Sequence, residues 1–351
     1  MQRVAIIGLG LIGGSIGLGL RRWAAQHPIN GKPALDIVGF SSNLDKQSAA
    51  QKMGAVDRTA WELPKAVADA DLVVVCTPVM AMPETFKDLA PHLKPGAVVT
   101  DVGSTKSQVM RWAQEFLPAH VHFIGGHPMA GSTASIEAAD ADLFVGATWC
   151  ITPSVSAGEE AVKTVLGMVA ALGAEPYFVD PMEHDAYVAG ISHLPFVLSA
   201  TLVNSVARDP SWRDMKGLAA GGFRDTSRLA MGSPAMHRDI LLTNRDAVNR
   251  WLDTTIANLQ QVRDHLAASG EESAAVNAWL TSYFSDAQDA RIAWEVQKPR
   301  ASEMMPEQAP GVGSESFSDH MSRMFLGGFA RKRQPKSSGN GASTGDADTD
   351  V

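Results

Sequence analysis

Arg3-Val-Ala-Ile-Ile7 runs directly into Gly8-Leu9-Gly10-Leu11-Ile12-Gly13, and this junction decides the fold. An apolar run of strand character passes through three glycines into residues 15–23 at helical spacing. In a strand–turn–helix setting the first glycine permits the tight turn and the second lets the backbone approach a pyrophosphate. The third lets the helix pack close to the strand. The free amides at the start of that helix attract phosphates, so Gly8, Leu9, Gly10, Leu11, Ile12 and Gly13 are expected to bind a dinucleotide.

Outward from this turn, strand-like runs recur at 35–40, 70–76, 97–100 and 121–124, with helical stretches between them. Two more, 147–152 and 174–179, flank a helix at 158–172. The pattern predicts an α/β doubly wound parallel sheet of the Rossmann type. Ligands of such sheets bind beyond the carboxyl ends of the strands. Those ends carry Ser41-Ser42-Asn43, Thr77-Pro78, Asp101-Val-Gly-Ser104 and Gly125-Gly-His127, with the last expected to be a loop. From about 181 the chain turns helical, with long amphipathic patterns at 185–208, 245–268 and 271–297. Helices of that length need partners, so a helical domain that forms a homodimer is expected. The predicted division is therefore 1–180 for the nucleotide, 181–298 for substrate and dimerisation, and 299–351 as a flexible tail with a short helix at 318–333.

The chain has 351 residues, 45% of them hydrophobic, and a formal net charge of -8. That balance offers no overall positive field, which argues against nucleic acid as a partner. Cys76 and Cys150 form neither a disulfide framework nor a metal-ligand pattern, so no metal is expected. Reduced cysteines, the absence of a charged leader, and no apolar run of roughly 18 residues together predict a cytoplasmic protein without a membrane partner.

The cofactor's identity turns on the end of the second strand. An NAD site usually places Asp or Glu there for the ribose 2′-hydroxyl, whereas Ser41, Ser42 and Asn43 stand here. Asp36 falls at the wrong end of the strand, Asp45 on the next helix, and Lys46 within reach of a phosphate. NAD(P) is expected, with NADP accepted.

Further constellations narrow the chemistry. They are Asp101-Val-Gly-Ser-Thr-Lys106, Gly125-Gly-His-Pro-Met-Ala-Gly-Ser132, His184-Asp185, Ser192-His-Leu-Pro-Phe196, Gly221-Gly-Phe-Arg-Asp-Thr-Ser-Arg228 and Ser233-Pro-Ala-Met-His237. A histidine set between glycines and proline can be aimed rigidly into a cleft. With these segments in this order, residues 3–297 resemble the prephenate/arogenate dehydrogenase family of tyrosine biosynthesis.

The resemblance implies a Rossmann domain followed by a helical dimerisation domain. It makes His127 the catalytic histidine that takes the hydrogen bond of the substrate's ring hydroxyl, supported by Ser104. It makes Arg228 the group that binds a substrate carboxylate, oriented by Asp225, and it sets Ser192, His193 and His184 around the cleft. A planar guanidinium donates two parallel hydrogen bonds to a carboxylate, which suits Arg228 to that task. Arg224 and Asp225 also read as a plain salt bridge. The implied reaction is oxidative decarboxylation of prephenate or arogenate.

The chain departs from the family pattern at Phe196, where a second histidine is frequent, at Thr133, where an acidic residue is frequent, and at His237, where tryptophan is frequent. His237 or a backbone amide is then a candidate for the side-chain end of the substrate. Two other readings remain at this point: a β-hydroxyacid dehydrogenase or imine reductase, and a non-catalytic NADP-sensing protein. The stretch after 297 lacks strand signals for a ferredoxin-like regulatory module.

Overall fold

The computed structural model describes residues 2–131, 134–268 and 274–296. The nucleotide half alternates strand and helix: β1 (Gln2–Ile7), α1 (Leu11–Gln26), β2 (Leu35–Phe40), α2 (Leu44–Lys52), β3 (Arg58–Thr59), α3 (Leu63–Val67), β4 (Leu72–Val75), α4 (Met82–Leu89), β5 (Val98–Asp101), α5 (Ser107–Phe116), β6 (His122–Pro128), β7 (Thr148–Pro153), α6 (Glu159–Ala171) and β8 (Glu175–Phe178). One eight-stranded sheet results, in the order β3-β2-β1-β4-β5-β6-β7-β8. The order reverses between β1 and β4, which is where a doubly wound sheet opens its ligand crevice. Strands such as Leu72–Val75 are buried throughout, as expected for a sheet covered by helices on both faces. One core cluster gathers around Ile6, Ile16, Ile37 and Trp149, the other around Ile7, Val73, Phe86 and Val99.

Two sheet expectations need correction, and one strand was not foreseen. The sheet is not wholly parallel, because β7 runs antiparallel to β6. The run at 121–124 extends to Pro128, so His127 lies on a strand and pairs with Cys150 rather than sitting in a loop. Its glycines had suggested a loop; here they answer to crowding, since a Cβ on Gly126 would meet the Asp101 carbonyl oxygen at 2.5 Å. The two-residue β3 is too short to leave a periodic signal.

The second half comprises α7 (Pro181–Val188), a π-helical turn (Ala189–His193), α8 (Leu194–Ala207), α9 (Trp212–Met215), α10 (Gly221–Ser227), α11 (Pro234–Thr243), α12 (Arg245–Ala268) and α13 (Ala274–Val296). The helix expected at 185–208 thus starts at Pro181, where Asp180 caps it by accepting from the Met182 and Glu183 amides, and a π turn interrupts it. Such turns concentrate at functional sites. Pro181–Ala207 also corrects the expectation about apolar runs. It is long and apolar enough to cross a membrane by length and composition, because scattered polar residues such as Ser192 and Ser199 do not offset its aliphatic content. The tail with its helix at 318–333 lies outside the described residues, as does Thr133.

Candidate active site

The cofactor cradle forms where β1 and β4 end. Gly8 has φ +103°, and a Cβ there would stand 2.6 Å from the Cys76 carbonyl oxygen, so the glycine turn rests directly on the end of β4. A Cβ on Gly13 would lie 2.0 Å from the Gly8 carbonyl, which explains the third glycine as a close approach of helix to turn. Beyond Gly10, in contrast, no atom lies within 4 Å of where a Cβ would point. Leu9 and Leu11 are buried and hold the turn, Ile12 is half-buried, and no side chain caps the start of α1. Next to this turn the Thr77 hydroxyl is buried without a hydrogen-bond partner, and Pro78 is exposed. Uncapped amides, open space over Gly10 and an orphaned hydroxyl fit a bound dinucleotide.

At the end of β2, Ser41 is buried. Its Oγ accepts from the Asn43 amide at 3.2 Å and its carbonyl from Gln47 Nε2 at 2.7 Å. Asn43 caps α2 by accepting from the Lys46 amide at 3.1 Å, while Ser42 is exposed. Asp36 lies at the opposite end of the strand, bound by Arg3 at 2.9 Å and by Arg58, whose guanidinium holds its carboxyl below the usual range. Neither Ser41, Ser42 nor Asn43 presents a carboxylate to a ribose 2′-position.

The candidate base sits further along the same edge. His127 is 8% exposed, and its Nδ1 lies 2.9 Å from Nε2 of His184. His184 Nδ1 lies 2.9 Å from Oδ1 of Asp185. That carboxylate also accepts from the Lys106 amide at 2.7 Å and the Ser107 amide at 2.9 Å, capping α5 and fastening the helical half to the sheet. Beneath it, the fully buried Lys106 ammonium pairs with Asp101, which also accepts from the Gly103 amide at 2.7 Å and the Gly126 amide at 3.1 Å. His193 is buried beside Asn244, whose Nδ2 is 3.2 Å from His193 Nδ1 and 2.7 Å from the Asp185 carbonyl.

Two expected pairings differ. Ser104 makes no hydrogen bond to His127 among the described residues; His184 engages the imidazole Nδ1, and the Ser104 backbone faces His193. Asp225 does not orient Arg228. It lies 3.6 Å from Arg224, both strongly exposed, because α10 ends at Ser227 and Arg228 opens a separate 3-10 turn. Arg228 is exposed, with no ion pair among the described residues, on a turn held to α8 by the Ala230 amide and Ser199 Oγ at 3.0 Å. Ser192 is half-buried on the π turn. His237 stacks on Phe196 with ring centroids 4.1 Å apart and 2° between planes, and Gly232 leaves room for its ring. Asp185, Lys106, Asp101 and Asn244 were visible in the sequence without a role. Their signal is a polar or charged side chain placed in apolar surroundings, but their pairings span up to 79 residues.

Burial pushes all three imidazoles below their ordinary value, His127 well below it and His193 to about 4. Desolvation leads in each case; for His127 the charges of His184, Lys106 and His193 act in the same direction. The unfolded chain therefore binds protons below about pH 6.5 that the native state refuses, so the native state weakens as pH falls. The loss is at most about 1.4 kcal/mol per histidine for each pH unit. Thermal unfolding between pH 7 and pH 5 is expected to show a falling midpoint; a constant midpoint would contradict the buried neutral assignment.

Two family models cover this architecture in sequence. The first, "Prephenate dehydrogenase, nucleotide-binding domain", matches residues 21–178, and the second, "Prephenate dehydrogenase, dimerization domain", matches 180–281. The chain belongs to the prephenate dehydrogenase family. The Bacillus subtilis (strain 168) prephenate dehydrogenase is 36% identical over 291 residues, 82% of this chain and 75% of that one. The crystal structure of prephenate dehydrogenase from A. aeolicus, in complex with hydroxyphenyl propionate and NAD+, superposes with a TM-score of 0.73 at 28% identity, covering 83% of this chain and 98% of that one. Synechocystis arogenate dehydrogenase superposes with a TM-score of 0.66 at 30% identity, covering 82% and 100%. As a prephenate/arogenate dehydrogenase, the protein is an oxidoreductase that uses a pyridine nucleotide.

Proposed function

We propose that His127 is the base in the oxidative decarboxylation of prephenate or arogenate by this chain. One observation carries the assignment: Nδ1 of His127 is engaged by His184, so Nε2 is the nitrogen left for a substrate hydroxyl. Four residues after His127 the chain meets the start of α1, since a Cβ on Gly131 would lie 3.6 Å from Ile12 Cδ1. Gly8, Gly10 and Gly13 with Thr77 would hold the nucleotide, which when bound supplies the acceptor for the hydride leaving C4. His127 takes the C4 hydroxyl proton, and the ring carboxylate departs as carbon dioxide as the ring becomes aromatic. The residues need only align C4, remove that proton and hold the anion.

Arg228 is free of other partners among the described residues and suits a carboxylate. Ser192, His184 and His193 line or support the cleft, and His237 with Phe196 forms a flat aromatic wall for the side-chain end. The change from sheet to helices between Phe178 and Pro181 supports the division at 180, and the boundary at 298 lies outside the described residues. Exposed Ile256, Leu259 and Leu266 on α12, with Phe284 and Ile292 on α13, support a homodimer built on the helical half. Cys76 and Cys150 are both free thiols, which supports a cytoplasmic location.

A matrix of prephenate and arogenate against NAD and NADP tests this reading. Reduced nucleotide should form with at least one substrate, and NADP should be accepted. A hundredfold or greater preference for NAD would defeat the cofactor assignment. No reduction with either substrate would defeat the dehydrogenase reading and favour a nucleotide sensor.

A further inference from the structure

We propose that Asp185 is a positioning residue that acts through His184 to keep the proton of His127 on Nδ1, leaving Nε2 unprotonated toward the cleft. The inference rests on His127 being the base. Asp185 accepts from two backbone amides and faces His184 Nδ1, a set of contacts that requires a carboxylate anion. Against that anion His184 must carry its proton on Nδ1, because a bare nitrogen 2.9 Å from a carboxylate oxygen would set two acceptors against each other. His184 Nε2 is then a lone pair, and the 2.9 Å contact to His127 can only be donated by His127 Nδ1. The polarity of the chain Asp185–His184–His127 is thereby fixed from its charged end.

An imidazolium at His184 would reverse the inner link and place the proton of His127 on Nε2. The surroundings disfavour it. His184 is 1% exposed, and the charge of the Lys106 ammonium opposes protonation of both imidazoles. Asp101 is paired with that lysine, and His193 is itself held neutral by burial. Among the described groups acting on His184, Asp185 and Asp101 favour its charge, and burial outweighs them.

Long-range proton–nitrogen correlation of the ¹⁵N-histidine-labelled full chain reads these tautomers without substrate. At pH 7, His127 and His184 are both expected as neutral Nδ1–H forms. His127 as Nε2–H, or His184 as imidazolium, overturns the proposal. In Asp185→Asn and in His184→Phe, which keeps a ring but removes the link, His127 should shift toward Nε2–H. The turnover number for prephenate should fall about tenfold to hundredfold, with a small change in KM. An unchanged His127 tautomer in a folded variant overturns the inference. Failure of the wild-type chain to oxidise either substrate would leave the tautomer result standing and would count against the proposed reaction alone.

Discussion

His127→Asn lowers the turnover number for prephenate by about 10²- to 10⁴-fold, the scale on which a positioned general base contributes. Asparagine is a sharp probe at this position. Its amide nitrogen falls near the place of Nδ1 and can still donate to His184 Nε2, so the link to Asp185 survives while the acceptor at Nε2 is lost. The thermal midpoint should therefore stay close to wild type while turnover collapses. Steady-state kinetics together with calorimetry read both quantities, and wild-type turnover in the variant would remove His127 from the reaction. The depressed pKa of His127 adds a pH signature. Because the imidazole stays neutral below the usual histidine range, activity should persist as pH falls from 7 to 6.

Lys106→Met has the largest expected effect on stability, about 3–5 kcal/mol, the usual consequence of removing one partner from a buried ion pair. The Lys106 and Asp101 side chains are both fully buried. Without the ammonium, Asp101 retains the Gly103 and Gly126 amides as its hydrogen-bond partners among the described residues. At roughly 2–4 °C per kcal/mol for a domain of this size, the midpoint should drop by about 10 °C. Adding Asp101→Asn should recover part of that loss, since the stranded charge is then gone. If the single variant melts like the wild type, the pair does not stabilise the fold.

The sequence made the sheet legible because each β–α unit carries its own local signal, and Gly8, Gly10 and Gly13 mark the turn by steric need. His127 was legible through its company of small residues, although those residues belong to a packed strand and not to a loop. What escaped was pairing at a distance. Asp185 and Lys106 stand 79 positions apart, and nothing local in either segment says that one caps the helix opened by the other. Asp225 misled for the opposite reason. Its spacing to Arg228 suits one continuous helix, but the helix stops between them. A resemblance carries residue types forward, whereas the hydrogen-bond partner of each is set by where helices end.

The reversal of β7 against β6 has a geometric consequence. A connection between antiparallel neighbours begins and finishes on one rim of the sheet, here the rim that carries the glycine turn. Part of it leans on α1: Ile136 and Ala139 crowd Gly14, the Asp140 amide donates to Ser15 Oγ at 3.0 Å, and Asp142 meets Arg22 at 2.6 Å. This crossover is moored along the flank of α1 at three separate levels, Gly14, Ser15 and Arg22. The helix that opens at the glycine turn is thereby braced from its outer side, so a change in the length of the crossover would loosen that brace while the strands keep their register.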